Sequence, residues 1–272
     1  MKNYWKSAAG LVLAGPLLFT ACKKSDKGEL SGPAPQPTFT VTTKQVGLTT
    51  EATFTNTTSY TGDGIVFYEW DFGDGSTTSA TTPTVTHVYS KGGTIQAQLL
   101  ASARGGNGFS EKKSLVLPDV VTLVKQLLTG GSSKTWKLDN SVAATIVVGP
   151  SDSDVTSYYA GGPAGALPAC QADDEFTFSN ANMYNYDAKA ETFVAGGIGC
   201  SAPRTGTSDF TFGAATGSGI AQLDFKKAGT FIGVTDAPDL TYRIMSIDAQ
   251  HMVLRAGKST SNLVFQMKLI AK

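Results

Sequence analysis

Charge, histidine and cysteine are all scarce in this chain. Only 16% of its 272 residues are charged, and 22 basic residues balance 22 acidic ones. Without residues 1–21, which hold Lys2 and Lys6 and no acid, 20 basic residues face 22 acidic ones, a balance of −2. Nucleic-acid binding needs a positive field, so DNA and RNA are excluded as partners. The two histidines, His87 and His251, stand far apart with no cysteine or glutamate beside His87. There is no H-E-x-x-H pair, G-x-S-x-G elbow, phosphate-binding loop or Rossmann fingerprint. Neither a cofactor nor an enzymatic activity is expected. Long apolar runs are missing too: residues 11–19, broken by Gly15 and Pro16, fall short of the ~20 residues a membrane-spanning helix needs.

What the chain does have is Thr, Ser and Gly in abundance, with short apolar stretches between them. That mixture predicts an all-β exported protein, long enough for two domains. Lys2 and Lys6, the apolar core and the small residues Thr20-Ala21 before Cys22 read as a signal peptide over residues 1–21. Residues 18–22 (LFTAC) resemble a bacterial lipobox, with Phe19 where leucine is usual. The resemblance implies lipidation of Cys22, anchorage in the outer membrane and exposure on the cell surface. Residues 22–35 then form a flexible tether that turns rich in Pro and Gly.

Residues 68–76 (YEWDFGDGS) are the most informative stretch. Tyr68, Trp70 and Phe72 alternate with acids, as in a strand with one buried face, and Gly73-Asp74-Gly75 reverses the chain. With Thr86-His87-Val88-Tyr89 and the later strand at residues 95–101, it closely resembles the PKD domain, an immunoglobulin-like β-sandwich. That resemblance covers residues 36–118. Trp70 is then the central core residue, His87 structural, and Tyr89 a tie between a strand and the preceding corner. Asp63, Asp71 and Asp74 carry the oxygen donors of a calcium site. Turn chemistry beside glycine accounts for Asp63 and Asp74 equally well, and no metal site is expected.

In residues 119–272, Asp119 caps a short helix that Gly130-Gly131 ends, read as the only helix of the mature chain. Strand-like runs follow, including residues 135–138, 145–148, 175–178, 183–187, 230–234, 242–248 and 263–270. Trp136 and the row Leu263, Phe265, Met267 and Leu269 are candidate core. Phe176 and Phe178 are placed to pair with Tyr184 and Tyr186 across a turn. This pattern predicts an antiparallel, jelly-roll-like sandwich, with a lipocalin-like barrel as the alternative. Cys170 and Cys200 predict one disulfide, with roughly 3 kcal/mol of stabilisation in the chain-entropy picture.

Residues 127–131, 134–139, 148–150 and 173–178 resemble the C-terminal β-domain of PKD-containing outer-membrane lipoproteins from glycan-foraging bacteria. This implies non-catalytic capture of polysaccharide or oligosaccharide, possible assembly with an outer-membrane transporter, and attachment through the lipid anchor. The alternative is a structural or adhesive lipoprotein that contacts other proteins. Where such proteins tend to carry tryptophan, this chain has Tyr158-Tyr159, in a loop whose Gly, Ser and Asp give no strand period to bury them. Aromatic faces suit sugar C–H surfaces, and Asp152 or Asp154 would serve as hydroxyl partners. The plainer reading packs one tyrosine against the domain edge. The acidic run Asp173-Asp174-Glu175 does not supply two carboxylates across a cleft, and a solvated strand start or a cation contact explains it.

Overall fold

The computed structural model describes residues 30–237, 239–257 and 262–272. Cys22 and the leader lie outside the described residues. The first half contains β1 (Phe39–Val46), β2 (Thr49–Asn56), β3 (Phe67–Asp71), β4 (Thr77–Ser79), β5 (Thr84–Tyr89), β6 (Gly93–Ala103), β7 (Gly106–Phe109) and β8 (Lys113–Leu117). One sheet has the order β1-β2-β5. The facing sheet has β4-β3-β6-β7, with β8 also paired to β6. The result is an immunoglobulin-like sandwich.

Trp70 lies between the sheets, with its ring 5.3 Å from Phe39, edge-on, and 5.6 Å from Phe54. The turn after β3 depends on Gly73 (φ +80°), where a Cβ would fall 2.4 Å from the Gln96 carbonyl oxygen. Asp71 accepts the Gly73 N–H at 2.8 Å, and Asp74 accepts the Ser76 N–H at 3.0 Å. Across the turn, His87 stacks on Phe72 at 4.1 Å and its Nε2 meets Asp74 Oδ2 at 2.8 Å. These residues fasten the hairpin to β5, the structural role expected of His87. Tyr89 is buried, and its hydroxyl donates to the Phe72 carbonyl at 2.8 Å.

The second half begins with α1 (Val120–Thr129), capped by Asp119, whose carboxylate accepts the Thr122 N–H at 2.8 Å. It continues through β9 (Ser133–Leu138), β10 (Ile146–Gly149), α2 (Ala169–Ala172), β11 (Glu175–Ser179) and β12 (Met183–Asp187). Next come β13 (Thr192–Val194), β14 (Gly199–Ser201), β15 (Gly206–Gly213), β16 (Ala221–Phe225), β17 (Thr241–Ile247), β18 (His251–Ala256) and β19 (Val264–Ala271). The nine-stranded sheet runs β10-β19-β18-β17-β16-β15-β12-β11-β9, and β19 also pairs with β9. Every pairing is antiparallel, so eight strands close into an up-and-down ring and β10 continues the β9 side along β19. The pairing gives the alternative, the barrel, in place of the expected sandwich.

Its interior is filled, as an eight-stranded ring permits. Trp136, Phe176, Phe178, Tyr184, Phe210, Leu223 and Tyr242 are almost wholly buried. Phe176 faces Tyr186 and Phe178 faces Tyr184 in the expected register. Helix α1 closes one end: Val124 and Leu128 join the core, and Trp136 Nε1 donates to the Leu128 carbonyl at 2.9 Å. Leu48, at the β1–β2 turn, packs against the same core and joins the two halves.

Two expectations are corrected. The described residues contain a second helix, α2, a single turn too short to show periodicity. Residues 230–234 form no strand; they fold across the open end of the barrel. Tyrosines replace the ladder there, since Tyr184 donates to the Phe231 carbonyl at 2.6 Å and the Ile232 N–H donates to Tyr242 Oη at 3.1 Å. Gly233 (φ +70°) lies against Leu138 and Met267, where a side chain would not fit.

Tyr89→Phe should lower the stability of the N-terminal sandwich by about 1–2 kcal/mol, because the buried Phe72 carbonyl loses its donor. Urea denaturation followed through Trp70 checks this.

Candidate functional site

The open end of the barrel is built from segments that leave and re-enter the sheet. After β10 the chain makes a turn in which Ser151 and Asp154 exchange backbone hydrogen bonds of 3.2 and 3.1 Å. It returns beside β10: the Val148 N–H donates to the Tyr159 carbonyl, and the Tyr158 and Tyr159 N–H groups donate to the Val148 carbonyl, all at 2.9–3.1 Å. Asn140 fixes the far part of this loop through the Gly165 N–H at 2.7 Å and the Leu167 N–H at 3.1 Å. Then α2 is stapled to β14 by the Cys170–Cys200 disulfide, as the cysteine count predicted.

These pieces enclose a cavity of about 280 Å³ at the end opposite α1. Ile146, Tyr159, Leu167, Phe193, Val234 and Phe265 supply its apolar and aromatic lining, while Thr145, Gln171 and Asp236 add polar groups. Gln171 is buried and donates from Nε2 to the Gly233 carbonyl at 2.8 Å. Among the described residues no bond reaches its carbonyl oxygen. Burial pushes the Asp236 carboxyl above its ordinary range. The disulfide joins the two walls, because Gln171 follows Cys170 in α2 while Phe193 faces Cys200 across the β13–β14 hairpin.

The four residues singled out from the sequence divide here. Tyr159, 48% exposed, lines the cavity, and Tyr158, 71% exposed, lies outside its lining. Neither is consumed by packing against the domain edge. The aspartates are corrected, because their carboxylates already have partners. Asp152 forms a bidentate clamp with Arg243, at 2.5 and 2.6 Å, and reaches Arg255 at 3.2 Å and Ser218 at 2.9 Å. Arg243 and Arg255 face each other directly on β17 and β18, a like-charge pair that requires an anion between its members. Arg243, then Ser218 and Arg255, hold the Asp152 carboxyl well below the usual range. Asp154 accepts the Thr156 and Ser157 N–H groups at 3.2 and 3.0 Å and shapes the turn.

The acidic run also departs from expectation. Glu175 does make cation contacts, with Lys272 at 2.6 Å and Lys189 at 3.2 Å. Asp174, however, is buried and accepts the Tyr186 hydroxyl at 2.9 Å. That hydroxyl also lies 3.1 Å from Thr192 Oγ1, so the network fastens the β13–β14 hairpin beside the cavity. Burial pushes the Asp174 carboxyl up to about 7, with Asp173 and Asp187 adding to the rise.

Sequence reasoning missed Gln171, Phe193, Val234, Asp236 and Phe265. They come from separate segments, and only barrel closure brings them together. The tyrosine pair was legible because its loop gave no reason to bury it.

Three kinds of comparison bear on identity. A family model described as the PKD domain matches residues 33–116. Among solved structures, the chain is similar to the PKD1 domain of the Vibrio cholerae metalloprotease PrtV, at 26% identity, covering 30% of this chain and 96% of that one, with a TM-score of 0.24. It is similar to the PKD domain of the human VPS10 domain-containing receptor SorCS2, at 14% identity over 44% and 96% of the chains, with a TM-score of 0.27. A third similar structure belongs to a study of carbohydrate-binding modules of the β-sandwich superfamily, at 15% identity over 88% and 91%, with a TM-score of 0.30. No curated protein matches the chain significantly.

Two predictions follow from the site. Asp152→Ala should lower barrel stability by about 1–3 kcal/mol, because two arginines lose their shared anion; it should also speed hydrogen exchange at the Tyr159 amide. For Asp174, the folded value of about 7 exceeds the ordinary 3.8. Its contribution to stability is therefore complete below pH ~4 and is lost as pH rises through ~7. Asp174→Asn should remove that part of the slope in urea midpoints measured between these limits.

Proposed function

We propose that this chain, whose residues 33–116 match the PKD family, is a non-catalytic glycan-binding lipoprotein of the outer-membrane surface. In this reading Cys22 carries the anchor, the sandwich is a spacer, and the open end of the barrel takes polysaccharide or oligosaccharide for an uptake system. The observation that carries the reading is an apolar cavity lined by the half-exposed Tyr159, with the exposed Tyr158 next to it in the chain. A cavity of about 280 Å³ suits one sugar unit at a chain end better than the middle of a polymer. Its aromatic and aliphatic walls suit sugar C–H faces. Tyr159 Oη, the Gln171 carbonyl and the Asp236 carboxylate are available for hydroxyls. Tyr158 then offers a flat face to the next unit outside.

The geometry supports presentation as well as binding. Strand β6 is 11 residues long, about 33 Å. The described chain enters beside the β6–β7 turn, where the Ser31 N–H donates to the Arg104 carbonyl at 3.1 Å. It passes to the barrel at the other end of β6, where Gly93 faces Leu117. The cavity then lies beyond the barrel, on the side away from α1.

In affinity gels loaded with soluble polysaccharides, Tyr158→Ala combined with Tyr159→Ala should weaken retention about tenfold or more, given stacking contributions of about 0.5–1.5 kcal/mol beyond area burial. Unchanged retention would overturn this site. If no glycan retains the folded wild-type protein while a membrane protein co-purifies with it, the adhesive reading takes its place.

A further inference from the structure

The outward face of β3, β6 and β7 is apolar at one end, and no described residue covers it. Phe67 is 66% exposed, Phe109 63% and Ile65 75%. Register groups them: Phe67 lies opposite Ser102, while Leu100 lies between Glu69 on β3 and Phe109 on β7. The alternate residues Trp70, Leu99 and Ala101 fill the core, so the strand period itself puts this set outside. Single exposed apolar residues need no explanation, but a cluster of this kind marks an interaction surface.

The path of the chain identifies what covers it. Residues 30–33 lie along the same end of the sheet. The Ser31 N–H bonds the Arg104 carbonyl, Tyr60 Oη donates to the Pro33 carbonyl at 3.2 Å, and Leu30, 73% exposed, lies against Gly106 on the inward side of β7. Cys22 precedes Leu30 by eight residues, a stretch that spans at most ~28 Å when fully extended. A lipid on Cys22, which belongs to the function proposed above, would hold this end of the sandwich close to the bilayer. Charge follows the same direction. Arg104 lies at the apolar end, beside Gly64, Ile65 and Phe67. Glu69 and Asp71 lie farther along β3, toward the hairpin tip.

We propose that Ile65, Phe67 and Phe109 form a membrane-docking face that seats among the headgroups of the bilayer carrying the anchor. Arg104 meets anionic headgroups. The acidic end of β3 and the barrel point outward. Docking of this kind fixes the direction of the spacer, which a flexible tether alone would leave free.

The test uses the mature chain with Cys22→Ser, so that no lipid is attached, floated with vesicles of phosphatidylethanolamine and phosphatidylglycerol. The chain should float with these vesicles and do so less with phosphatidylcholine alone. Phe67→Ser combined with Phe109→Ser should reduce the bound fraction about tenfold or more, since two buried aromatic side chains are lost. Both residues are exposed, so near-ultraviolet circular dichroism and polysaccharide retention should be unchanged. A parent chain that never floats, or a variant that floats equally well, would overturn the proposal. So would a solution dimer that these substitutions dissolve, which would assign the face to a second copy. Mass spectrometry of lipid on Cys22 and affinity gels test the anchor and the glycan site separately, so either can fail without deciding the vesicle result.

Discussion

Closure of the barrel by β9 and β19 is the constraint on which the C-terminal half depends. Trp136 meets Ala271, and Leu138 meets Leu269, across more than half of this chain segment. Without that pairing, β9 and β19 would each present an open edge, with backbone groups lacking partners and prone to pair with other chains. Closure also decides the site. Because β19 holds β9 along one part of its length and β10 along another, the loop after β10 must cross the open end of the barrel. Tyr159, α2 and the β13–β14 hairpin converge there as a consequence.

The two ends of the barrel are treated differently. At one, α1 supplies a rigid apolar lid, with Trp136 bonded to its last turn. At the other, irregular backbone is held by polar side chains: Tyr184, Tyr242, Gln171 and Asn140 all bond main-chain groups there. Irregular segments leave backbone groups without ladder partners, and side chains must satisfy them. A closed end suits attachment to the sandwich, and the irregular end leaves room for a cavity. The sandwich itself is fixed by a compact set around its hairpin, in which Phe72, His87 and Tyr89 share contacts and Phe54 links Phe72 to Trp70.

Recognition from the sequence succeeded wherever the deciding interaction was local. The alternation around Trp70, the glycine turn after it, the Asp119 cap and the Phe–Tyr hairpin pairs all act within a few residues, and each appears where expected. The cysteine pair was legible by count. Asp152 was misread because its partners, Arg243 and Arg255, lie about ninety and a hundred residues away. Residues 230–234 were misread because apolar composition suits a strand and a plug equally.

The sequence by itself determined an all-β chain with a PKD-like first half, one disulfide and an exposed tyrosine pair, because period, turn chemistry and residue type are local properties. Only the tertiary structure decided between sandwich and barrel, since that choice rests on whether the first and last strands of the second half meet. It also decided which tyrosine lines the cavity, which aspartates are already engaged, and that Asp174 is buried. Each of those depends on segments distant in the chain being brought within hydrogen-bonding reach by closure.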